Sequence, residues 1–211
     1  MCVRDLLSFF TILPLGGRGL GFSCPWALPY LAAAVVGGAG AFAYYLTGDG
    51  RIAYIALLVA TGLNHVDGLA DVADAMTVRD RGKAHAVLED PHRGAAVFAV
   101  SAVSLGASAH VDGWWDYILA DSYSKALTAA AAFSKPFKPR LGAEFITHAR
   151  RQWPAALPAL ALAAWLNPMA FSAATAAALP LYAAANRHLG GASGDVFGFL
   201  SEISRVAYLY P

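Results

Sequence analysis

Asp67, Asp71 and Asp74 recur at intervals of four and three within residues 61–75 (TGLNHVDGLADVADA). A helix turns about 100° per residue, which places the three carboxylates within an arc of roughly 60°. Carboxylates so close on one face repel one another unless a cation sits among them. Oxygen donors without a thiolate favour Mg²⁺ or Mn²⁺ over zinc. Mg²⁺ typically takes a few carboxylates and completes its shell with water and substrate phosphates. Gly68 and Ala70 keep the spaces between the acids small, which suits the approach of a bulky phosphate ester. The ordinary alternative is a solvated acidic helix end. Against it, the acids run straight on from an apolar segment, where ionisable groups are functional by default. His65 is a candidate base or ligand, and equally a satisfied structural histidine.

Cations follow at Arg79, Arg81 and Lys83. Guanidinium geometry matches phosphate, but membrane proteins collect such residues on the cytoplasmic side whatever their task. Asp90 and Arg93, directly ahead of another apolar segment, are better placed to meet a substrate. A third polar stretch, residues 190–198 (GGASGDVFG), is a glycine-rich run leading into a helix. Such a run exposes backbone N–H groups to phosphate and equally makes a turn. Asp195 and Glu202, seven residues apart, share a helix face, with Gly194 at its start. Glu202 with Arg205, and Asp121 with Lys125, also sit at spacings that allow plain structural pairing. Together these stretches point to metal-assisted transfer of a phosphoryl group bearing a large substituent. No nucleophile elbow, zinc motif or Walker-type loop is present.

The elements that position these residues follow from composition. Of 211 residues, 58% are hydrophobic and only 14% charged, against about 25% charged in soluble domains; mean hydropathy is +0.50. These figures exclude a disordered tail, a disulfide scaffold and a coiled coil. Fifteen basic against 14 acidic residues give +1, leaving no basic field for nucleic acid. Cys2 and Cys24 form no metal spacing and no framework. The expectation is an all-α fold: a polytopic transmembrane helix bundle of about six to seven membrane segments, some short or re-entrant, forming one integral-membrane domain over residues 1–211. Residues 26–47 are the clearest span, with Gly-Gly-Ala-Gly at 37–40 permitting close helix contacts within or between chains, so that oligomers stay open. Residues 94–111, 117–133, 153–165 and 169–185 follow, the last two separated by a tight turn at Asn167-Pro168. Residues 52–63 are apolar for only 12 positions, and either continue as a helix carrying the acids or break in the membrane. Residues 196–210 are similarly short. Residues 5–15 read as interfacial or re-entrant and, with no small-residue cleavage site behind them, as retained.

With the loop 64–93 cytoplasmic and one crossing per segment, twelve of the 15 basic residues lie inside and only Arg51 lies outside. The Trp114-Trp115 pair then falls at the outer interface. The acids and the glycine-rich run thus share the cytoplasmic face of the bilayer.

The stretch His65-Val66-Asp67-Gly68-Leu69-Ala70-Asp71-Val72-Ala73-Asp74 resembles the H-x-D-G-L-A-D-x-x-D signature of the cobalamin-5′-phosphate synthase (adenosylcobinamide-GDP ribazoletransferase) family. Gly194-Asp195 with Gly198 and Glu202 is similar to its T-G-D-x-x-G-x-x-x-E motif, with Ser193 in place of Thr. Weaker echoes are Phe9-Phe10-Thr11-Ile12-Leu13-Pro14, Asp90-Pro91-His92-Arg93-Gly94, Ser124-Lys125, and Leu141-Gly142 with Phe145, so the resemblance covers essentially the whole chain. Ala75 stands where the family has Gly, His92 stands for Arg with Arg93 just after it, and Lys125 replaces an Arg. The chain is also short for the family, lacking part of a last spanning helix.

The resemblance implies a multi-pass membrane enzyme that uses Mg²⁺ late in cobalamin assembly. α-Ribazole, or its 5′-phosphate, would attack adenosylcobinamide-GDP through its 5′-hydroxyl and expel GMP. Asp67, Asp71 and Asp74 would hold Mg²⁺ against the diphosphate. Asp195 would complete the metal site or take the hydroxyl proton, with His65 the other candidate base. Asp90, Arg93, Lys125, Gly194 and Glu202 would bind substrate. Two rivals are weaker. A CDP-alcohol phosphatidyltransferase needs D-G-x-x-A-R, and Asp71-Val72 stand where Ala-Arg would be. A cation transporter would pair its acids across a midplane site, and no inverted repeat is visible.

Overall fold

An uncharged run needs about 20 residues to cross a bilayer as a helix, and Pro25–Thr47 supplies 23. In the computed structural model, which describes residues 2–15, 23–90, 92, 111, 113–137 and 141–210, this run is helical throughout. It passes from a 3₁₀ turn (Pro25–Ala27) through a π turn (Leu28–Ala32) into α2 (Ala33–Thr47). Before it lies α1 (Cys2–Phe10); after it come α3 (Gly50–Ala60), α4 (Asn64–Met76), α5 (Arg81–Glu89), α6 (Trp115–Ala130), α7 (Leu141–Gln152), α8 (Leu157–Leu166), α9 (Pro168–Leu189) and α10 (Gly194–Leu209). Among the described residues there is no strand, only a bridge between Pro136 and Ala192. Residues 94–110 of the expected span 94–111, and Arg18, Arg93, Lys138 and Arg140, lie outside the described residues.

Two described helices, Pro25–Thr47 and Pro168–Leu189, are long and apolar enough to cross a membrane. A third span exists if α3 and α4 count as one broken crossing. α6 and α10, expected as membrane segments, have 16 residues each. Their buried faces carry Asp121 and Lys125 on α6, and Glu202 and Arg205 on α10. The Asn167-Pro168 turn is as expected: Asn167 caps α9 by accepting from the Ala170 N–H at 3.0 Å, and Pro168 fills the first turn, where a missing N–H costs nothing.

α10 lies at the centre, packed against α4, α6 and α9, while α2 is held between α3 and α6. Gly37 and Gly40 of α2 serve contacts inside the chain, whereas a Cβ on Gly38 would meet open space. A Cβ on Gly37 would lie 2.7 Å from the Ile118 Cα on α6, so only glycine allows this approach.

Of the two options left for residues 52–63, the chain takes the break. Gly62 and Leu63 both have positive φ, 65° and 64°, and α4 leaves α3 at 94°. The acids are thereby carried sideways onto α10.

Two features were not anticipated in the sequence. Cys2 and Cys24 are joined as a disulfide with a Cα–Cα distance of 5.9 Å, fastening α1 to the head of the Pro25–Thr47 run. No sequence spacing announces this pair, because it is the fold-back of α1 onto Leu28–Ala32 that brings the sulfurs together. Arg81, read as a topological cation, donates from Nε to the His188 carbonyl at 2.9 Å and from its second amino nitrogen to the Arg187 carbonyl at 3.0 Å. It therefore caps the negative end of α9. Arg81→Gln is expected to lower stability by about 1 kcal/mol, read as a lower midpoint of thermal unfolding in detergent with activity per folded molecule retained.

Candidate active site

Two backbones touch where the two strongest motifs meet. A Cβ built on Gly68 would lie 2.7 Å from the Asp195 carbonyl oxygen and 3.0 Å from its Cα. One on Gly198 would lie 3.5 Å from the His65 Cα and 3.6 Å from the Gly68 Cα. A side chain at 68 would hold the helices apart, whereas one at 198 would begin at ordinary contact distance; the glycine at 68 lets His65 and Asp67 of α4 share a cavity with Asp195 of α10. α7 closes in by the same device, since a Cβ on Gly142 would lie 2.9 Å from the Gly194 nitrogen. Gly68→Ala should displace the α4 carboxylates from Asp195, and a shift near 1 Å costs about 100-fold in turnover. Steady-state rates at saturating substrate check this; unchanged turnover would show that the close approach is dispensable.

The cavity measures about 220 Å³. Its polar lining is His65, Asp67, Lys125, Thr128, Asp195 and Ser201; its apolar lining is Phe9, Phe10, Leu28, Phe145 and Phe197. The first turn of α10 opens on it at Gly194. There the Ser193 hydroxyl accepts from the Val196 N–H at 3.3 Å and lies 3.2 Å from an Asp195 carboxylate oxygen, to which it donates. α4 also begins at the cavity, with Asn64. Two helix N-termini facing one space favour an anion there.

Beneath the polar lining is a buried ionic network. Asp121 pairs with Lys125 one turn on, and with Arg205 at 2.8 Å. Arg205 also holds Glu202 at 2.6 Å, and Glu202 accepts from the Tyr54 hydroxyl. The two carboxylates balance the two cations, and none is more than 2% exposed. Arg205 reaches His65 as well, its amino nitrogen 3.0 Å from Nδ1. Guanidinium has no acceptor, so Nδ1 accepts, and the ring proton is assigned to Nε2.

The structure brings His65, Asp67, Lys125, Gly194 and Asp195 to one cavity. It does not bring the remaining sequence candidates there. Asp71 is buried and Asp74 half-buried further along α4, outside the lining. Glu202 lies in the ionic network and not at the cavity, as the plain pairing with Arg205 allowed. Lys125 does both, pairing with Asp121 and lining the cavity. Asp90 ends α5, exposed, and accepts from the His92 backbone N–H at 2.9 Å and from its ring Nδ1 at 2.8 Å. Those bonds, the backbone one first, hold its carboxyl below the usual range. Arg93 is outside the described residues. Sequence reasoning gave no role to Asn64, Thr128 and Ser201, which carry no spacing signal. Phe9, Phe10 and Phe145 stood in the weaker family echoes, the only signal that pointed to them.

The donor chemistry fits a hard divalent cation: the lining offers carboxylates and no thiolate. Among the described residues, no three His, Cys, Asp or Glu side chains form a cage for an ion. Mg²⁺ does not require one, being held by one or two carboxylates together with substrate phosphates.

Residues 3–210 match the family model described as cobalamin-5-phosphate synthase. A protein of Pyrobaculum islandicum named adenosylcobinamide-GDP ribazoletransferase is 59% identical over 211 residues, covering 99% of this chain and 93% of its own. One of the same name from Pyrobaculum calidifontis is 57% identical over 210 residues, covering 99% and 97%. A more distant one from Archaeoglobus fulgidus is 28% identical over 224 residues, covering 98% and 94%. The chain thus spans nearly the full length of these relatives. No solved structure matches. With its two motifs meeting at one cavity and the family match running from residue 3 to residue 210, the chain belongs to the cobalamin-5-phosphate synthase family.

Proposed function

We propose that the chain is an adenosylcobinamide-GDP ribazoletransferase, acting late in cobalamin biosynthesis. A hydroxyl of α-ribazole attacks the corrinoid-side phosphorus of adenosylcobinamide-GDP. The new P–O bond forms as the bond to GMP breaks, and the hydroxyl proton leaves to a base. The 5′-hydroxyl expected from the sequence cannot serve both acceptors, because in the 5′-phosphate O5′ is already esterified. One site acting on either acceptor uses a ribose hydroxyl that is free in both, and so not O5′. The observation that carries the reading is the meeting of Asp67 and Asp195 across the Gly68 contact, at a cavity entered by two helix N-termini.

Asp67, with Asp71 and Asp74 further along the same helix, would hold Mg²⁺, which neutralises charge on a diphosphate and its leaving group. Asp195 takes the proton of the attacking hydroxyl. His65 is assigned the opposite task, because Arg205 occupies Nδ1 and leaves Nε2–H as a donor to a phosphate oxygen. Lys125, poised at the wall, and the Gly194 turn meet the substrate phosphates. Asp90 and Arg93 would contact the donor from outside the cavity.

The experiment is GMP release by purified, detergent-solubilised protein given adenosylcobinamide-GDP and α-ribazole, with and without Mg²⁺. Release that requires all three supports the reading. No release from folded protein would redirect the assignment to another phosphotransferase or to ion transport, the latter scored as flux in proteoliposomes.

The chain is read as one multi-pass domain of the cell membrane, of six to seven segments, with the carboxylates at the cytoplasmic face. The support is the distribution of basic residues and the two apolar helices long enough to cross. Lys83, exposed on α5, tests the orientation. A Lys83→Cys variant, in a background with Cys2 and Cys24 replaced by Ser, should react with an impermeant thiol reagent only after the cytoplasmic side is opened. Labelling of intact cells would reverse the topology.

A further inference from the structure

The cavity has an apolar lining that the transfer reaction as described does not use. Phe9 and Phe10 meet edge to face with ring centroids 5.0 Å apart, and Phe145 and Phe197 do the same at 5.1 Å. The His65 ring, part of the polar lining, stands 6.1 Å from Phe10. Leu28 completes the apolar surface. These rings come from α1, α7 and α10, and nothing about helix packing alone requires elements so far apart in sequence to converge around an empty space.

Resting on the proposed transferase reading, we propose that this aromatic lining receives the flat bicyclic base of the acceptor nucleoside, while the corrinoid of the donor stays outside. Size is the first argument. At about 220 Å³ the space is smaller than the roughly 300–1,000 Å³ of sites that enclose drug-sized ligands. It admits a two-ring base with part of a sugar and excludes a macrocycle. Chemistry is the second. Aromatic faces and edges around a flat ring supply stacked and edge-to-face contacts.

The guanine of the donor is also flat, but it is the poorer occupant. Its edge presents N7 and O6 acceptors and an amino donor, and phenyl and leucyl groups satisfy none of them. Burying unmatched polar atoms is costly. The benzimidazole base of α-ribazole has a largely apolar edge and little to lose. Position supplies the third argument, since Asp67 and Asp195 line the same cavity as the rings, so a base seated among the rings keeps its sugar in the space those carboxylates share.

The test separates the two substrates. KM for α-ribazole and KM for adenosylcobinamide-GDP are measured in wild type, Phe10→Leu and Phe145→Leu, the leucines keeping the wall apolar. Loss of one stacking ring should raise the acceptor KM about tenfold, leaving kcat and the donor KM within about twofold. A raised donor KM with an unchanged acceptor KM would overturn the assignment. A second arm does not depend on turnover. Equilibrium dialysis of labelled α-ribazole against wild-type protein, with no donor present, should show binding that benzimidazole displaces and GMP does not. Displacement by GMP alone, or no binding at all by folded protein, would refute the subsite. If wild type binds the nucleoside yet releases no GMP in the assay, the transfer reading fails and the subsite stands. If either variant fails to fold, the dialysis arm decides.

Discussion

An Arg205→Met variant is expected to lose about 3–5 kcal/mol of stability, the usual consequence of removing one partner from a buried ion pair. Arg205 is fully buried between Asp121 and Glu202 and is the cation common to both. Without it, two carboxylates remain in the interior against the single ammonium of Lys125. The chain cannot relieve this by solvating them, because neither carboxylate is exposed. The measurement is thermal unfolding in detergent, with the double variant Glu202→Gln/Arg205→Met alongside. That variant restores charge balance, leaving Asp121 with Lys125, and should recover a large part of the loss. If it recovers nothing, packing of the guanidinium, and not charge, is what Arg205 contributes. Catalysis would suffer separately: with Nδ1 released, His65 is free to change tautomer and no longer presents a fixed Nε2–H to the cavity.

Asp67→Asn should lower turnover by about 100- to 1,000-fold, the range seen when a preorganised group is removed from around a developing charge. Asp67 is the signature acid that lines the cavity. Asparagine keeps its shape while removing the charge that a Mg²⁺ ligand and an electrostatic partner both need. Asp71→Asn, one turn on and buried, should also abolish most activity while leaving expression and detergent behaviour unchanged. Titrating Mg²⁺ distinguishes loss of a ligand from loss of fold: the metal concentration for half-maximal rate should rise in both variants. Near-normal rates at limiting Mg²⁺ would remove the aspartates from the metal site.

What the sequence made legible is the chemistry carried by local spacing. The acids of α4 and the Gly194-Asp195 turn could be identified because each motif is written in one helix, and residues 26–47 and 169–185 because hydropathy accumulates along a single run. The Gly37 contact was legible as a possibility, and the partner, Ile118 on α6, was not. Tertiary pairings were hidden for a physical reason. Asp121–Lys125 and Glu202–Arg205 are helix neighbours and visible as such, but the Arg205–Asp121 and Arg205–His65 contacts join different helices across some 80 to 140 residues of sequence. The break after α3 depended on two consecutive left-handed residues, one of them Leu63, which by type disfavours that conformation. Of the aromatic lining, Phe9, Phe10 and Phe145 were marked only by the weaker family echoes, and Phe197 looks like an ordinary apolar helix residue until the fold aligns the rings.

The contact between α4 and α10 also governs when the site exists. The two helices are separated by about 120 residues of chain, which a ribosome adding roughly 5–20 residues per second needs about 6 to 24 seconds to supply. Throughout that interval the carboxylate helix has left the exit tunnel without the surface it is shaped to meet, its Gly68 groove open. Each nascent chain therefore stays catalytically blank until α10 has been made and docks on α4.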